Sequence, residues 1–263
     1  MKHTVRRTLY SAVALVCFAI QAIANQDEEA LEIMQKNDEA EGYQSAYSHF
    51  FQTILTSSGA KRTLEIRAWT VDSGDKQLAE YLAPADIRGQ KILMTEDGDN
   101  IWMFNPETRR TRKLGSHMKK KKVMGSDFTY EDQSGGKLVE KYDGVKVGEE
   151  ALDGETCFVI DLFPTPKGPS YTKVRAWIST NDYVVRRIDY YEDDSELPFK
   201  RLVMSDIREV EYGTEQGTET KVTPFKMVMT NLEDHTETVN ITETIQFGAE
   251  IPESIFNSRN LDR

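Results

Sequence analysis

The chain has 263 residues and a net charge of −11 at pH 7, with 38% hydrophobic and 29% charged residues. This length is ample for one sizeable hydrophobic core. So acidic a composition argues against general nucleic-acid binding, because the phosphate backbone would be repelled.

The first 24 residues have the pattern of a secretory signal peptide. Basic side chains lie in residues 2–7, an apolar stretch covers residues 12–20, and Ala22-Ile23-Ala24 has the small-x-small form of a cleavage site. Cleavage there removes three basic side chains and leaves residues 25–263 with a net charge of −14. No later stretch is apolar enough to be a membrane helix. We therefore expect a periplasmic protein whose mature chain forms one domain.

The mature chain begins with a predicted helix and continues as strands. The helix covers Asp27–Glu41, with acids in its first turn, where the helix dipole favours them. The strands show alternating apolar and polar residues, and Gly, Pro, Asn and Asp mark the turns between them. Strands are predicted at Ser45–Thr56, Thr63–Val71, Gln77–Leu82, Lys91–Thr95, Ile101–Asn105, Thr108–Leu114, Val145–Ala151, Glu155–Phe163, Tyr171–Ser179, Tyr183–Glu192, Leu202–Glu211, Thr220–Leu232 and Thr236–Phe247.

Residues 116–142 interrupt the strands. Ser126 or Asp127 is placed to cap a short helix over Phe128–Gln133, and Lys137–Tyr142 is predicted to form another helical turn. Two helical pieces are too few to cover both faces of so large a sheet. The sequence therefore predicts a mainly β (α+β) fold, a strongly curved antiparallel sheet or half-open β-barrel with a small helical lid on its concave side.

Patterns for catalysis are missing from the sequence. His49, His117 and His235 lie in no metal-binding or catalytic spacing, and no nucleophile elbow or phosphate loop is present. Cys157 lies in an apolar strand with no histidine nearby in sequence, so we interpret it as a buried small hydrophobe. We expect a protein that is not an enzyme and that needs no cofactor or metal.

Three motifs carry a resemblance to a known family. They are Trp102-Met103-Phe104-Asn105-Pro106, the basic string Arg109-Arg110-Thr111-Arg112-Lys113, and Gly125-Ser126-Asp127-Phe128-Thr129-Tyr130-Glu131-Asp132. Together with Tyr81-Leu82-x-Pro84 and Pro224-x-x-Met227-x-Met229, they resemble the outer-membrane lipoprotein-sorting (LolA-like) family, in its longer branch. The resemblance implies a LolA/LppX-like fold and a periplasmic carrier for the acyl chains of a lipid or lipoprotein.

The resemblance also implies partners. The carrier would shuttle its cargo between envelope membranes, with transient membrane contact and an inner-membrane transporter of the RND, MMPL or ABC type as a partner. An alternative remains open at this point. The chain could be a non-enzymatic interaction module without a lipid cavity that regulates an envelope transporter or sensor. The cargo itself, free lipid or lipoprotein, is not distinguished.

Apolar strand faces are the candidates for lining such a cavity, because long acyl chains are held mainly by burial of methylene groups. The predicted lining residues are Phe50, Ile54, Leu64, Ile66, Ala68, Trp102, Phe104, Phe158, Ile160, Leu162, Ile188, Met227, Met229 and Ile241. Basic residues stand out in an acidic protein and are candidates for contact with a headgroup, a membrane or a partner. They are Arg67, Arg110, Arg112, Lys119, Lys120, Lys121 and Lys122, and Arg67 could instead hold the lid closed through lid carbonyls.

Overall fold

A computed structural model of the protein describes residues 28–193, 195–214 and 217–262. The predicted leader lies outside these residues. The described chain forms a helix over residues 28–41 (α1), thirteen strands, and a one-turn helix (α2) between β6 and β7. The strands are β1 Ser45–Leu55, β2 Lys61–Val71, β3 Lys76–Ala83, β4 Lys91–Thr95, β5 Asn100–Asn105, β6 Arg110–Lys113, β7 Tyr142–Leu152, β8 Glu155–Pro164, β9 Lys173–Ser179, β10 Val185–Tyr191, β11 Lys200–Thr214, β12 Gly217–Asn231 and β13 Thr236–Phe247, and α2 is Leu138–Lys141.

All thirteen strands belong to one antiparallel sheet with the order β6-β5-β4-β3-β2-β1-β13-β12-β11-β10-β9-β8-β7. Two meanders, β1–β6 and β7–β13, are joined where β1 pairs with β13. The sheet is not closed, because β6 and β7 remain at its two ends. The predicted mainly β fold with an open, curved sheet is confirmed.

Helix α1 packs its apolar side onto one face of the second meander. Ala30, Ile33 and Met34 are buried against strand residues, whereas Leu31 is exposed. Gly144 of β7 permits the close approach, since an added Cβ there would overlap the Met34 sulfur. This helix therefore covers part of the sheet rather than standing apart from it.

Residues 115–141 form a second covering element, here named the cover segment. It begins with a 3-10 turn at Ser116–Met118, continues through turns, and ends with α2. The helix predicted over Phe128–Gln133 is wrong, because these residues form turns and Thr129 makes an isolated β-bridge with Lys122. The helical turn predicted over Lys137–Tyr142 is confirmed as α2.

The two faces of the sheet bury different residues. On the face under α1 and the cover segment, here named the concave face, lie two apolar clusters. The first is centred on β8–β12 and the second on β1–β5. Phe128 of the cover segment belongs to the first cluster and Tyr130 to the second, so this segment spans both.

The opposite, convex face is partly covered by the C-terminal residues. A 3-10 turn at Glu253–Phe256 and Leu261 pack with Leu78, Leu93 and Phe104 in a third cluster. Since successive residues of a strand point to opposite faces, Trp102 and Phe104 of β5 lie here, while Ile101 and Met103 belong to the concave face.

Candidate lipid-binding face and its cover

Asp127 holds the middle of the cover segment on β13. Its carboxylate accepts hydrogen bonds from the hydroxyls of Thr236 at 2.6 Å and Thr238 at 2.9 Å, and its backbone N–H donates to the Thr238 hydroxyl at 2.8 Å. Lys122 adds an ion pair at 3.1 Å. Asp127 is 2% exposed and Thr238 fully buried. Paired buried charges of this kind fix one arrangement of the segments that carry them.

Asp132 holds the end of the same motif on β11. The Lys200 ammonium donates to the Asp132 carboxylate and to the Tyr171 hydroxyl, each at 2.6 Å, and Tyr171 donates to Asp132 at 2.7 Å. Both charged side chains are almost completely buried. The Asp132 carboxylate also accepts the Thr129 backbone N–H at 2.7 Å. The Gly125–Asp132 motif therefore works as a pair of polar anchors for the cover.

Helix α1 is held at its C-terminal end by polar contacts as well. Asn37 donates to the Tyr183 carbonyl at 2.7 Å, Glu41 accepts the Val185 N–H at 3.0 Å, and Lys221 donates to the Ala40 carbonyl at 2.6 Å. Burial raises the pKa of the Glu41 carboxyl and lowers the pKa of the Lys221 ammonium.

Asp38 links α1 to α2. Its carboxylate accepts the backbone N–H groups of Leu138 at 2.6 Å and Val139 at 3.2 Å, the first-turn donors that the short helix cannot satisfy itself. Burial raises the pKa of the Asp38 carboxyl. The two helical elements therefore form one connected cover.

The concave face brings most of the predicted lining residues together, in two groups. Phe50, Ile54, Leu64 and Ile66 belong to the cluster on β1–β5, and Ala68 continues the same strand face beyond Ile66. The remaining members of the concave set belong to the cluster under α1: they are Phe158, Ile160, Leu162, Ile188, Met227 and Met229. In this closed arrangement the side chains pack against the cover.

Three of the predicted lining residues lie elsewhere. Trp102 and Phe104 pack on the convex face with the C-terminal segment. Ile241 of β13 is 39% exposed and points away from its neighbour Asn240, which is buried on the concave face. The sequence could not settle this for β5, because its residues are apolar on both sides.

Arg67 does not reach the cover. It lies on the convex face, donates to the Glu80 carboxylate at 2.8 and 3.0 Å, and lies over the Trp69 ring. The predicted hydrogen bonds from Arg67 to lid carbonyls are therefore wrong.

The other basic candidates lie at the β6 edge and in the cover segment. Arg110 and Arg112 are exposed on β6. Lys119 pairs with Asp99 at 2.6 Å, and Lys122 pairs with Asp127 and Asp234. Lys120 and Lys121 are exposed between them. Lys122 therefore stabilises the cover, whereas Lys120 and Lys121 project from it.

A cleft of about 1350 Å³ opens where α1 meets β1 and the β11–β12 hairpin. Its lining is rich in acids, which are Asp72, Asp75, Asp97, Glu140, Glu219 and Glu250. Burial, with the neighbouring charge of Asp75, raises the pKa of the Asp97 carboxyl. An apolar chain would gain little from so polar a wall, so this cleft is not the predicted acyl cavity.

Within the described residues, no group of His, Cys, Asp and Glu is arranged to hold a metal ion. No helix of the described chain has both the length and the hydropathy to cross a membrane. Cys157 is fully buried with Val159 and Trp177, and burial raises its pKa to about 11. A thiol in this position is a poor nucleophile at neutral pH.

Comparison with known proteins places this geometry in a family. A family model described as an uncharacterized "-like" protein matches residues 73–263. A solved domain from Vibrio parahaemolyticus, assigned to outer membrane lipoprotein sorting, superposes with a TM-score of 0.79 at 25% identity, covering 90% of this chain and 100% of that one. The chain belongs to the family of this model, and it has the fold of the outer-membrane lipoprotein-sorting, LolA-like proteins.

Two further solved structures share the LolA-like fold. A DUF1329 family protein from Desulfovibrio piger gives a TM-score of 0.78 at 21% identity, covering 90% of this chain and 99% of that one. A LolA superfamily protein from Nitrosomonas europaea gives 0.69 at 18% identity, covering 87% and 97%. Among curated protein sequences none matches significantly.

Sequence reasoning missed the polar residues of this LolA-like protein's concave face. Gln52 of β1 pairs with Asn240 of β13, and Thr238 lies beside Ile54. Gln52 is 2% exposed, Asn240 6% and Thr238 fully buried. The available signal was one of alternation, since Gln52 stands between Phe50 and Ile54 on an otherwise apolar strand face.

Proposed function

We propose that the protein is a periplasmic carrier that binds the acyl chains of a lipid or lipoprotein between its concave face and the cover formed by α1 and residues 115–141. It releases them at another envelope membrane, and it works with an inner-membrane transporter of the RND, MMPL or ABC type. No covalent bond is made or broken. The observation that supports this proposal most is that the cover is attached by polar side-chain contacts while it lies over two large apolar clusters.

The manner of attachment supports movement. Among the described residues the cover segment adds no strand to the sheet. Its isolated bridge, Lys122 with Thr129, lies within the segment itself, and its Asp127 and Asp132 anchors are side-chain contacts. Lifting it would leave the thirteen-stranded sheet paired as it is. The newly exposed residues, such as Ile66 and Met229, are apolar and would be covered by cargo.

Methionine enrichment on the concave side fits flexible chains. Met103, Met118 and Met124 flank the cluster on β1–β5, and Met204 and Met227 flank the one under α1. Unbranched thioether side chains repack around ligands of varied shape at little cost. Each acyl methylene buried there contributes about 0.8 kcal/mol.

One observation favours a second candidate, the interaction module without a lipid cavity. The concave clusters are packed by the protein's own side chains, with Leu64 and Ile160 fully buried. A module would keep that packing and would use its surface, including Lys120 and Lys121, for contact with an envelope transporter or sensor.

Lipid content distinguishes the two candidates. The protein is purified from periplasm without detergent, examined by native mass spectrometry, and extracted with organic solvent. The carrier proposal expects bound acyl lipid in a fixed ratio, and it expects lipid-free protein to take up added lipid. Protein that is empty and takes up none contradicts the carrier and favours the module.

A reversible lock tests the role of the cover. Asp127 and Thr238 make direct side-chain contact at 2.9 Å, so Asp127→Cys with Thr238→Cys places two thiols near disulfide distance. Oxidation should block lipid uptake and reduction should restore it. A matched pair on the convex face, Arg67→Cys with Glu80→Cys, should leave uptake unchanged in both states. Equal uptake by the oxidised and reduced Asp127/Thr238 variant would show that cargo does not enter beneath the cover.

A further inference from the structure

A strip of polar side chains crosses the concave face between the two apolar clusters, here named the polar strip and consisting of Gln52, Thr238 and Asn240. Ile54 and Met229, which belong to different clusters, are the two register partners of Thr238. Gln52 and Asn240 are directly opposite each other one step further along the same face. The floor is therefore apolar, then polar, then apolar across the sheet.

The strip carries an unsatisfied hydrogen-bonding group. The Gln52 amide nitrogen donates to the Asn240 side-chain oxygen at 3.1 Å, while the Gln52 oxygen is buried without a partner among the described residues. Leaving a buried carbonyl unpaired costs free energy, and a leucine of similar size would avoid that cost. The buried Gln52 oxygen is therefore suited to accept a hydrogen bond from a donor group of a bound ligand.

The closed cover already shows what the strip binds. Thr238 accepts an amide N–H, that of Asp127, and donates its own hydroxyl to a carboxylate oxygen of the same residue. A peptide amide with an adjacent oxygen thus occupies the Thr238 end of the strip. The Gln52 end adds one free acceptor about two residues away on the strand ladder.

We propose that the polar strip recognises the linkage of an amphiphilic cargo that carries a hydrogen-bond donor next to its acyl chains, such as an N-acyl amide. This inference rests on the proposed carrier function. When the cover lifts, Asp127 leaves the strip and the cargo's amide N–H donates to the Gln52 oxygen. The chains then lie over the apolar clusters on either side. A simple ester of the same shape has no donor and leaves the Gln52 oxygen unpaired.

Two ligands that differ by N–H against O test the donor requirement. Binding of N-methylhexadecanamide and of methyl hexadecanoate is measured by displacement of fluorescent N-phenyl-1-naphthylamine from the wild-type protein. We expect the amide to bind about three- to ten-fold more tightly than the ester, the range for one hydrogen bond in a protein. Gln52→Leu should remove this preference, so that the amide and the ester bind with equal affinity.

Two further variants serve as a substitute for Gln52→Leu and as a control. Gln52→Met keeps an unbranched side chain and gives the same readout if Gln52→Leu does not fold. Gln246→Leu changes an exposed glutamine of β13 and should keep the wild-type preference. Equal affinity of the wild type for both ligands, or a preference that survives Gln52→Leu, overturns the polar-strip inference and leaves the carrier function standing. If neither ligand binds, both the polar-strip inference and the carrier function are overturned.

Discussion

Single carboxylates decide where the cover lies. The buried Asp127 carboxylate accepts hydrogen bonds from the hydroxyls of Thr236 and Thr238, and it forms an ion pair with the partly exposed Lys122. The sequence alone indicates that Asp127 could cap a helix over Phe128–Gln133, because Asp is common at the residue that precedes a helix. In the folded chain its oxygens are used by β13 instead, so the local helix does not form.

Replacing Asp127 should destabilise the protein. Asp127→Ala leaves the Thr238 hydroxyl buried without its acceptor and removes the partner of Lys122, which should lower the free energy of unfolding by about 3 kcal/mol. Urea denaturation measures this. Asp99→Ala removes the partner of Lys119 at a site where Asp99 is 74% exposed, and should change it by less than about 0.5 kcal/mol. Equal effects of the two substitutions would contradict a special role for Asp127.

The Cys157 thiol should react slowly. With no exposed surface and a pKa raised to about 11 by burial, it is neither accessible nor ionised at pH 8. Protein lacking residues 1–24 should therefore react with Ellman's reagent at least about a hundred-fold more slowly when folded than in denaturant. Fast labelling of the folded protein would reopen the possibility of a Cys157-dependent activity.

At the scale of elements, the sequence predicted the strands, but of the cover segment it predicted only the helical turn α2 and not the turns that precede it. Alternating apolar and polar residues, together with the turn residues, placed every strand to within a few residues, because both signals are local in sequence. The position of the cover segment depends on contacts between residues 68 and 111 apart in sequence, Lys200 with Asp132 and Thr238 with Asp127. Local pattern carries no information about such pairs.

Helix α1 should respond to acid through Glu41. Because burial raises the folded-state pKa of Glu41 above its ordinary 4.5, its ionised form destabilises the fold. That destabilisation is present at neutral pH and is lost as the pH falls through the raised pKa. Glu41→Gln keeps the oxygen that accepts the Val185 N–H.

Unfolding of Glu41→Gln and wild type is compared between pH 7 and pH 4.5. The variant should be the more stable protein at pH 7, and its advantage should shrink as the pH falls. An advantage of Glu41→Gln that grows on acidification would mean that the carboxylate is stabilising in the folded state.

For the molecule as a whole, the sequence predicted the LolA-like fold with its open β architecture. Eleven of the fourteen lining candidates lie on the concave side, and their contact with lipid stays a prediction. Trp102 and Phe104 were misplaced because β5 is apolar on both faces and the C-terminal segment covers the second one. The polar strip was missed because its one signal, the alternation that puts Gln52 between Phe50 and Ile54, shows which face Gln52 lies on but not that this face is buried there.

The exposed lysines of the cover should guide the protein to anionic surfaces. Lys120→Gln with Lys121→Gln should weaken binding to vesicles of phosphatidylglycerol and phosphatidylethanolamine by about thirty-fold, since each lysine near such a surface contributes about 1 kcal/mol. Co-sedimentation at low salt measures it. The matched pair Lys61→Gln with Lys226→Gln, exposed elsewhere, should have little effect. Unchanged vesicle binding of the Lys120/Lys121 variant would mean that these lysines are ordinary solvent-exposed side chains with no role in membrane contact.

The sheet ends in two edge strands, β6 and β7, each of which has one side without a neighbouring strand. Each has a feature that disfavours pairing with another copy of the chain. At one end β6 is four residues long and contains Arg110, Arg112 and Lys113, so two such edges repel. At the other, the register shift between Lys146 and Gly148 bends β7 out of a flat template. An open sheet with two plain edges would pair readily with the edge of another copy. The positive charges of β6 and the bend of β7 disfavour such pairing.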